Sequence, residues 1–400
     1  MVRFPPFVIE QWINEYEFVP DVLDLASSCA APISLKEISA LSTDKTTTNL
    51  IEFPDPLLYG DPHGSKTLRQ TIAENLGDNP LTKSEILTAD DVLVTQGGIA
   101  ANFAVFQSLL NPGDHVVCIY PTFQQLYTVP ATLGADVSLW KLKKDDGYVP
   151  DVSELNRLVK PNTKLIVINN PNNPTGVPIP RSTLQQIVDF AKSRDLILLS
   201  DEVFSPLYHG LFDNPAAVPP SAVALGYDKV IATGSMSKAF GMAGIRVGWA
   251  ATKSKAIMDA LVSSRQYTTI SVSQIDDRIA SYALSEAVRV PLLKEKVAIA
   301  KTNLGLLEEF INQHSDVCSW VKPTASTVAF VQFSKNGTPV DDEQLGKDLM
   351  AKAKLLVVPG GTCFGDGQEF AGFVRIGYVC RTDILKAALE QLGLYLKEHF

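Results

Sequence analysis

The chain has 400 residues, of which 46% are hydrophobic, and a formal net charge of −9. An acidic chain without a basic run makes a poor partner for nucleic acid or for an anionic membrane surface. No uncharged apolar stretch reaches the roughly 18 residues a membrane helix needs. MVRFPPFVIEQW lacks the features of a signal peptide, and KEHF fits no common targeting tail. The five cysteines (Cys29, Cys118, Cys318, Cys363, Cys380) form no CxxC pair, so reduced thiols and a cytoplasmic location are expected.

The first 50 residues lack a strand–helix rhythm and are expected to pack against a C-terminal domain. From about residue 90 short β-branched runs alternate with helical patterns. The strand candidates are 91–96, 114–120, 136–142, 164–170, 196–202, 229–235 and 246–252. Several are almost wholly apolar, as in strands buried on both faces of a mostly parallel sheet. Helical segments lie between them. Residues 101–110 end at Asn111-Pro112-Gly113, and 181–194 start after Pro180 with Ser182 as a candidate cap. Residues 275–320 read as one or two long helices, with a break expected near Pro291. Residues 325–400 mix the strands TVAFVQF and FVRIGY with helices. This order predicts a three-layer α/β/α large domain on a mostly parallel seven-stranded sheet, plus a smaller α+β domain. The expected boundaries are 1–50 for the N-terminal segment, 51–285 for the large domain and 286–400 for the small one.

Four strings carry chemistry. The strongest is Gly234-Ser235-Met236-Ser237-Lys238-Ala239-Phe240-Gly241, followed by Gly244-Ile245-Arg246. Two hydroxyls and an arginine suit a phosphate dianion. A lysine that forms imines must lose its proton near neutral pH, which burial and nearby cations favour. The second is Asn169-Asn170-Pro171-Asn172-Asn173-Pro174-Thr175-Gly176, a turn at a strand's carboxyl end, where α/β sheets bind ligands. The third is Ser200-Asp201-Glu202, whose Asp201 suits a protonated ring nitrogen. The fourth is Gln96-Gly97-Gly98-Ile99-Ala100, where small residues let backbone N–H groups approach a phosphate. Taken singly, each has a plainer reading as a loop lysine, a turn or a helix cap.

Together, over almost the whole chain, the strings resemble the fold type I pyridoxal-phosphate family, specifically its class I and II aminotransferases. The resemblance implies pyridoxal 5′-phosphate on Lys238, with Lys238 and Asp201 as the catalytic pair. It implies that Asp201 pairs with the ring nitrogen, Asn173 meets the phenolic oxygen and Phe123 stacks on the ring. Gly98, Ile99, Ser235, Ser237 and Arg246 would hold the phosphate. Tyr59, in Tyr59-Gly60 with Gly64 and Leu68-Arg69, would reach the phosphate of the other subunit of a homodimer. Arg375 would grip the substrate carboxylate, with Asn173 beside it, and Pro359–Gly365 resembles the family's small-domain loop near the substrate. The implied reaction partners are an amino acid and a 2-oxo acid, and the implied step is removal of the Cα proton by Lys238.

The chain also departs from the family pattern. Phe204 stands where many relatives have a tyrosine, Ile99 replaces a frequent hydroxyl residue, and Ser27-Ser28-Cys29 occupies a region that usually holds a glycine. These departures resemble, more loosely, enzymes of the capreomycidine synthase type, which carry out elimination and cyclisation on an arginine-derived amino acid. A nicotinamide dehydrogenase is disfavoured, because no G-x-G-x-x-G follows the first strand. A degenerate, non-catalytic member of the family is disfavoured by the intact Lys238, Asp201, Asn173 and Arg246.

Overall fold

The computed structural model describes residues 4–46, 58–77 and 83–400. The expected boundary at residue 51 lies outside them. Near the N-terminus are helix α1 (Val8–Tyr16) and the short strand β1 (Leu23–Asp24). The large sheet then takes β2 (Val92–Thr95), β3 (His115–Tyr120), β4 (Asp136–Lys141), β5 (Thr163–Asn169), β6 (Ile197–Asp201), β7 (Val230–Ser235) and β8 (Gly248–Ala251). Their spatial order is β2-β8-β7-β6-β5-β3-β4. Only β8 runs antiparallel to its neighbours. All seven expected strands are present in one mostly parallel sheet.

Alternation along these strands explains their apolar character. Val117, Ile119, Ile166, Ile168 and Leu198 join the core on one face of the sheet. Val116, Cys118, Leu165, Val167 and Leu199 join a second core on the other. Both faces are therefore covered, as a parallel sheet requires. Helix α2 (Gly97–Leu109) follows β2, and α3 (Arg181–Ser193) leads into β6. Pro180, not Ser182, occupies the cap position of α3, and no side-chain cap bond forms there. A proline with extended ψ ends the preceding loop well, so a hydroxyl cap is not needed to start the helix.

Helices α4 (Gln274–Leu284) and α5 (Glu286–Gln313) meet at Ser285. The break expected at Pro291 is absent, because that proline lies inside α5. A proline cannot donate to the carbonyl four residues back. Here that carbonyl, on Ala287, accepts the Thr43 N–H at 2.9 Å and the Thr43 hydroxyl at 3.3 Å. The N-terminal segment thus supplies the bond that the proline withholds.

The second sheet comprises β9 (Cys318–Trp320), β10 (Val328–Lys335), β11 (Thr338–Pro339), β13 (Val358–Pro359) and β14 (Phe373–Gly377), all antiparallel. The short strand β12 (Leu355–Leu356) pairs instead with β1. Helix α1 is fixed on the same side, because the Trp12 indole donates to the Val357 carbonyl at 2.7 Å.

Candidate active site

Strands β5, β6 and β7 end side by side. Their register sets Asn169 opposite Asp201, and Asp201 opposite Thr233. A cavity of about 400 Å³ opens above these ends. Its walls include Gly98, Ile99, Phe123, Asn173, Asp201, Ser235, Ser237, Lys238 and Arg246. Nine of the eleven residues singled out in the sequence therefore share one cavity.

Asp201 is almost fully buried. Burial raises its pKa from the ordinary carboxylate value to about 6, opposed by hydrogen bonds from the Val203 N–H and Asn102 and by the charge of Lys238. Asn102 donates to Asp201 Oδ2 at 3.1 Å and accepts from the Thr233 hydroxyl at 2.7 Å. Asn102 was not foreseen from the sequence. The available signal was its spacing: it stands four residues after Gly98, on the same face of α2. Glu202 takes the alternate side of the strand end, where it meets the Ser200 hydroxyl and the Ala222 N–H.

Lys238 lies three residues beyond β7. Its Nζ donates to Ser28 Oγ at 2.8 Å and lies 3.8 Å from Cys29 Sγ. Asn169 shapes the Asn-Pro turn. Its Oδ1 accepts from the Asn173 N–H at 2.7 Å, and its Nδ2 donates to the Asp201 carbonyl at 3.1 Å. Phe123 sits beside Phe7, with ring centroids 5.1 Å apart. Phe204 is buried and also lines the cavity.

At the phosphate end, the Ser237 N–H and the Ser235 hydroxyl are 3.0 Å apart, and Arg246 Nη1 donates to Ser237 Oγ at 3.4 Å. The first turn of α2 has no side-chain cap, so its N–H groups are left without a side-chain partner. A Cβ on Gly97 (φ +79°) would meet Arg246 Nη2 at 2.7 Å, and one on Gly98 would meet Val203 Cγ1 at 2.8 Å. Only glycines allow this approach. Two hydroxyls, a guanidinium and a helix N-terminus make a fitting cradle for a phosphate dianion.

Arg375 and Tyr59 lie elsewhere. Arg375 is 1% exposed and adjoins the cavity through Asn173, to whose Oδ1 it donates at 3.1 Å, while it also donates to the Ala26 carbonyl. Burial lowers its pKa to about 10. No carboxylate pairs with it among the described residues, and its Nε has no partner there. A buried cation of this kind favours an incoming anion. Tyr59 is 83% exposed. The neighbouring motif residues have structural roles: a Cβ on Gly64 would strike Val94 at 2.4 Å, and Arg69 gathers the carbonyls of Gly64 and Ala89.

Residues 36–392 match the family model for aminotransferase class I and II. Capreomycidine synthase of Streptomyces vinaceus is 28% identical over 99% of this chain and 95% of its own length. Aspartate/prephenate aminotransferase of Thermus thermophilus is 29% identical over 84% of this chain and 83% of its own. A pyridoxal-phosphate-dependent aminotransferase from Streptococcus suis superposes with a TM-score of 0.86 at 32% identity, covering 100% of this chain and 99% of that one. The pyridoxal-phosphate-dependent cyclase OrfR superposes at 0.85 and 26%, with the same coverage. The fold is that of the fold type I pyridoxal-phosphate-dependent enzymes, and the chain belongs to the class I and II aminotransferase family.

Proposed function

We propose that the protein is a pyridoxal-phosphate-dependent aminotransferase that takes the Cα proton from an amino acid. The observation that carries this reading is the convergence of Lys238, Asp201 and the Ser235–Ser237–Arg246 cradle on one cavity. Pyridoxal phosphate, bound through Lys238, supplies an electron-accepting ring that delocalises the electrons left when the Cα–H bond breaks. Asp201 holds a proton at the ring nitrogen, and Asn102 and the Val203 N–H keep that carboxylate in place. Asn173 would meet the phenolic oxygen of the cofactor and Phe123 would cover its ring. Ser235, Ser237, Arg246 and the N–H groups around Gly98 and Ile99 bind the phosphate. Arg375 draws in the substrate carboxylate, which supplies the counter-charge it lacks among the described residues. Once the substrate amine has displaced it from its bond to the cofactor, Lys238 Nζ would be free to take the proton from Cα and to deliver it to the carbon it left, after which the amino group can pass to a 2-oxo acid.

We take residues 51–285 as the cofactor-binding domain and 286–400 as the small domain, with 1–50 packed on the latter. The joint at Ser285 and the β1–β12 pairing support that division. A homodimer fits the exposed side chains of Leu58, Tyr59, Tyr267 and Ile270. Leu58 is tied to the start of α4 through a bond from the Gln274 side chain to its carbonyl. In such a dimer Tyr59 would serve the partner's phosphate. A cytoplasmic location fits the reduced cysteines, and among the described residues no helix is long and apolar enough to cross a membrane.

A second reading, elimination with cyclisation of an arginine-derived or other β/γ-substituted amino acid, is favoured by the near full-length likeness to capreomycidine synthase and OrfR. One experiment separates the two. Protein reconstituted with pyridoxal phosphate is reduced with borohydride and digested, and the cofactor should be found on Lys238. Unreduced protein is then mixed with an amino-acid panel that includes arginine and hydroxyarginine. A 2-oxo acid supports transamination, and a cyclic product without 2-oxo acid supports the second reading. Absence of the cofactor from Lys238 defeats both.

A further inference from the structure

We infer that Glu10 selects amino acids whose side chain ends in a positive charge. The inference rests on the proposed function and adds a substrate class to it. Among the described residues, the titratable groups lining the cavity are Glu10, Cys29, Asp201, Lys238 and Arg246. Arg246 belongs to the phosphate cradle, Lys238 is assigned to the cofactor and the proton transfer, and Asp201 is buried. Glu10 is the remaining carboxylate, and it is exposed at the rim.

Its position is fixed at both ends of the first turns of α1. The Val8 N–H donates to Gln124 Oε1 at 2.9 Å, and Gln124 Nε2 donates back to the Pro6 carbonyl at 2.9 Å. Two residues beyond Glu10, the Trp12 indole is bonded to Val357. The stretch 8–12 therefore runs from the large domain to the small one, with Glu10 midway. Phe7 and Phe123 line the cavity below it. Aromatic walls leading to a single carboxylate suit a side chain with a methylene stem and a cationic head. An acidic side chain would meet the same carboxylate and be repelled. Glu10 also occupies the first turn of α1, where a carboxylate complements the helix dipole. The test therefore reads selectivity rather than stability.

The holoenzyme is mixed with L-arginine, L-lysine, L-norleucine or L-glutamate in single-turnover reactions without acceptor. The wild type should favour arginine or lysine over norleucine by about fivefold, the upper size of one exposed ion pair. Glu10→Gln should bring that ratio to within about twofold, and Glu10→Lys should shift preference toward glutamate. An unchanged ratio in Glu10→Gln, or a wild type that prefers glutamate, overturns the inference while leaving the proposed function standing. A holoenzyme that reacts with no amino acid of any charge overturns both.

Discussion

Lys238 and Ser28, 210 residues apart in sequence, are joined by a 2.8 Å hydrogen bond from the lysine Nζ to the serine hydroxyl. The serine is itself strapped down. Its carbonyl accepts from the Thr327 hydroxyl at 2.6 Å, and the Ala30 N–H donates to the Lys238 carbonyl at 2.9 Å. The N-terminal segment thus links the lysine to the small sheet. Ser28 is a positioning residue for the free amine in the proton-transfer step. In Ser28→Ala, kcat should fall by about tenfold with little change in KM, since misplacing a base costs rate rather than binding. The deuterium isotope effect at Cα should rise, and Ser28→Thr should restore most of the rate. An unaltered isotope effect in a slow Ser28→Ala enzyme would mean that the loss has a merely structural origin.

The phosphate cradle makes a separate prediction. Arg246 adopts a left-handed backbone conformation (φ 52°) that aims its guanidinium at Ser237. Arg246→Lys keeps the charge but loses the planar fork, so pyridoxal phosphate should bind about ten- to a hundredfold more weakly. Gly98→Ala should also weaken binding, because its Cβ would press on Val203 at 2.8 Å. Cofactor titration of the apo protein measures both. Affinity equal to wild type in Arg246→Lys would place the phosphate elsewhere.

The sequence made the large sheet legible because most of its strands are short, apolar and buried, β4 (DVSLWK) being the mixed exception. The strand ends also carry the chemistry, so Asn169, Asp201 and Ser235 could be read along with the fold. What escaped has a common cause: it depends on partners far away in the chain. Thr43 preserves α5 across Pro291 by bonding Ala287, and no local pattern announces that. Asn102 looks like an ordinary residue in an apolar helix until β6 and β7 bring Asp201 and Thr233 to it. Arg375 and Phe123 were legible through family resemblance alone. Neither a single arginine within a strand nor a single phenylalanine in a loop marks a site by itself.

Asp201 connects stability to pH. Its pKa is raised to about 6 in the folded protein by burial, above its ordinary value in an unfolded chain. The folded apo protein therefore holds the proton more tightly, and stability is lost as pH rises through this interval. Asp201→Asn should make the apo protein more stable at pH 7 to 8, by about 1–3 kcal/mol, with the difference fading toward pH 4. The same variant should lose orders of magnitude in turnover, since a neutral amide cannot hold the ring nitrogen protonated. Asn102→Ala removes one of the bonds that oppose the pKa rise, so the pH dependence of apo stability should steepen. Denaturant melts across pH decide the matter. A profile that does not change between wild type and Asp201→Asn would refute a buried, proton-holding carboxylate.

Phe204 is the clearest departure in the cavity, and it too makes a prediction. It is buried against the site and offers no hydroxyl to the phenolic oxygen of the cofactor. Without that donor the negative charge on the oxygen is less stabilised, and the linkage between Lys238 and the cofactor should keep its proton to higher pH. Phe204→Tyr adds the donor. The pKa of the linkage, read from its visible absorbance as pH is varied, should fall by about one unit, the effect of one hydrogen bond to a charged group. Phe204→Leu, which also lacks a hydroxyl, should leave the value near that of the wild type. A fall in both variants would trace the effect to packing, and no fall in Phe204→Tyr would mean that position 204 does not reach the oxygen.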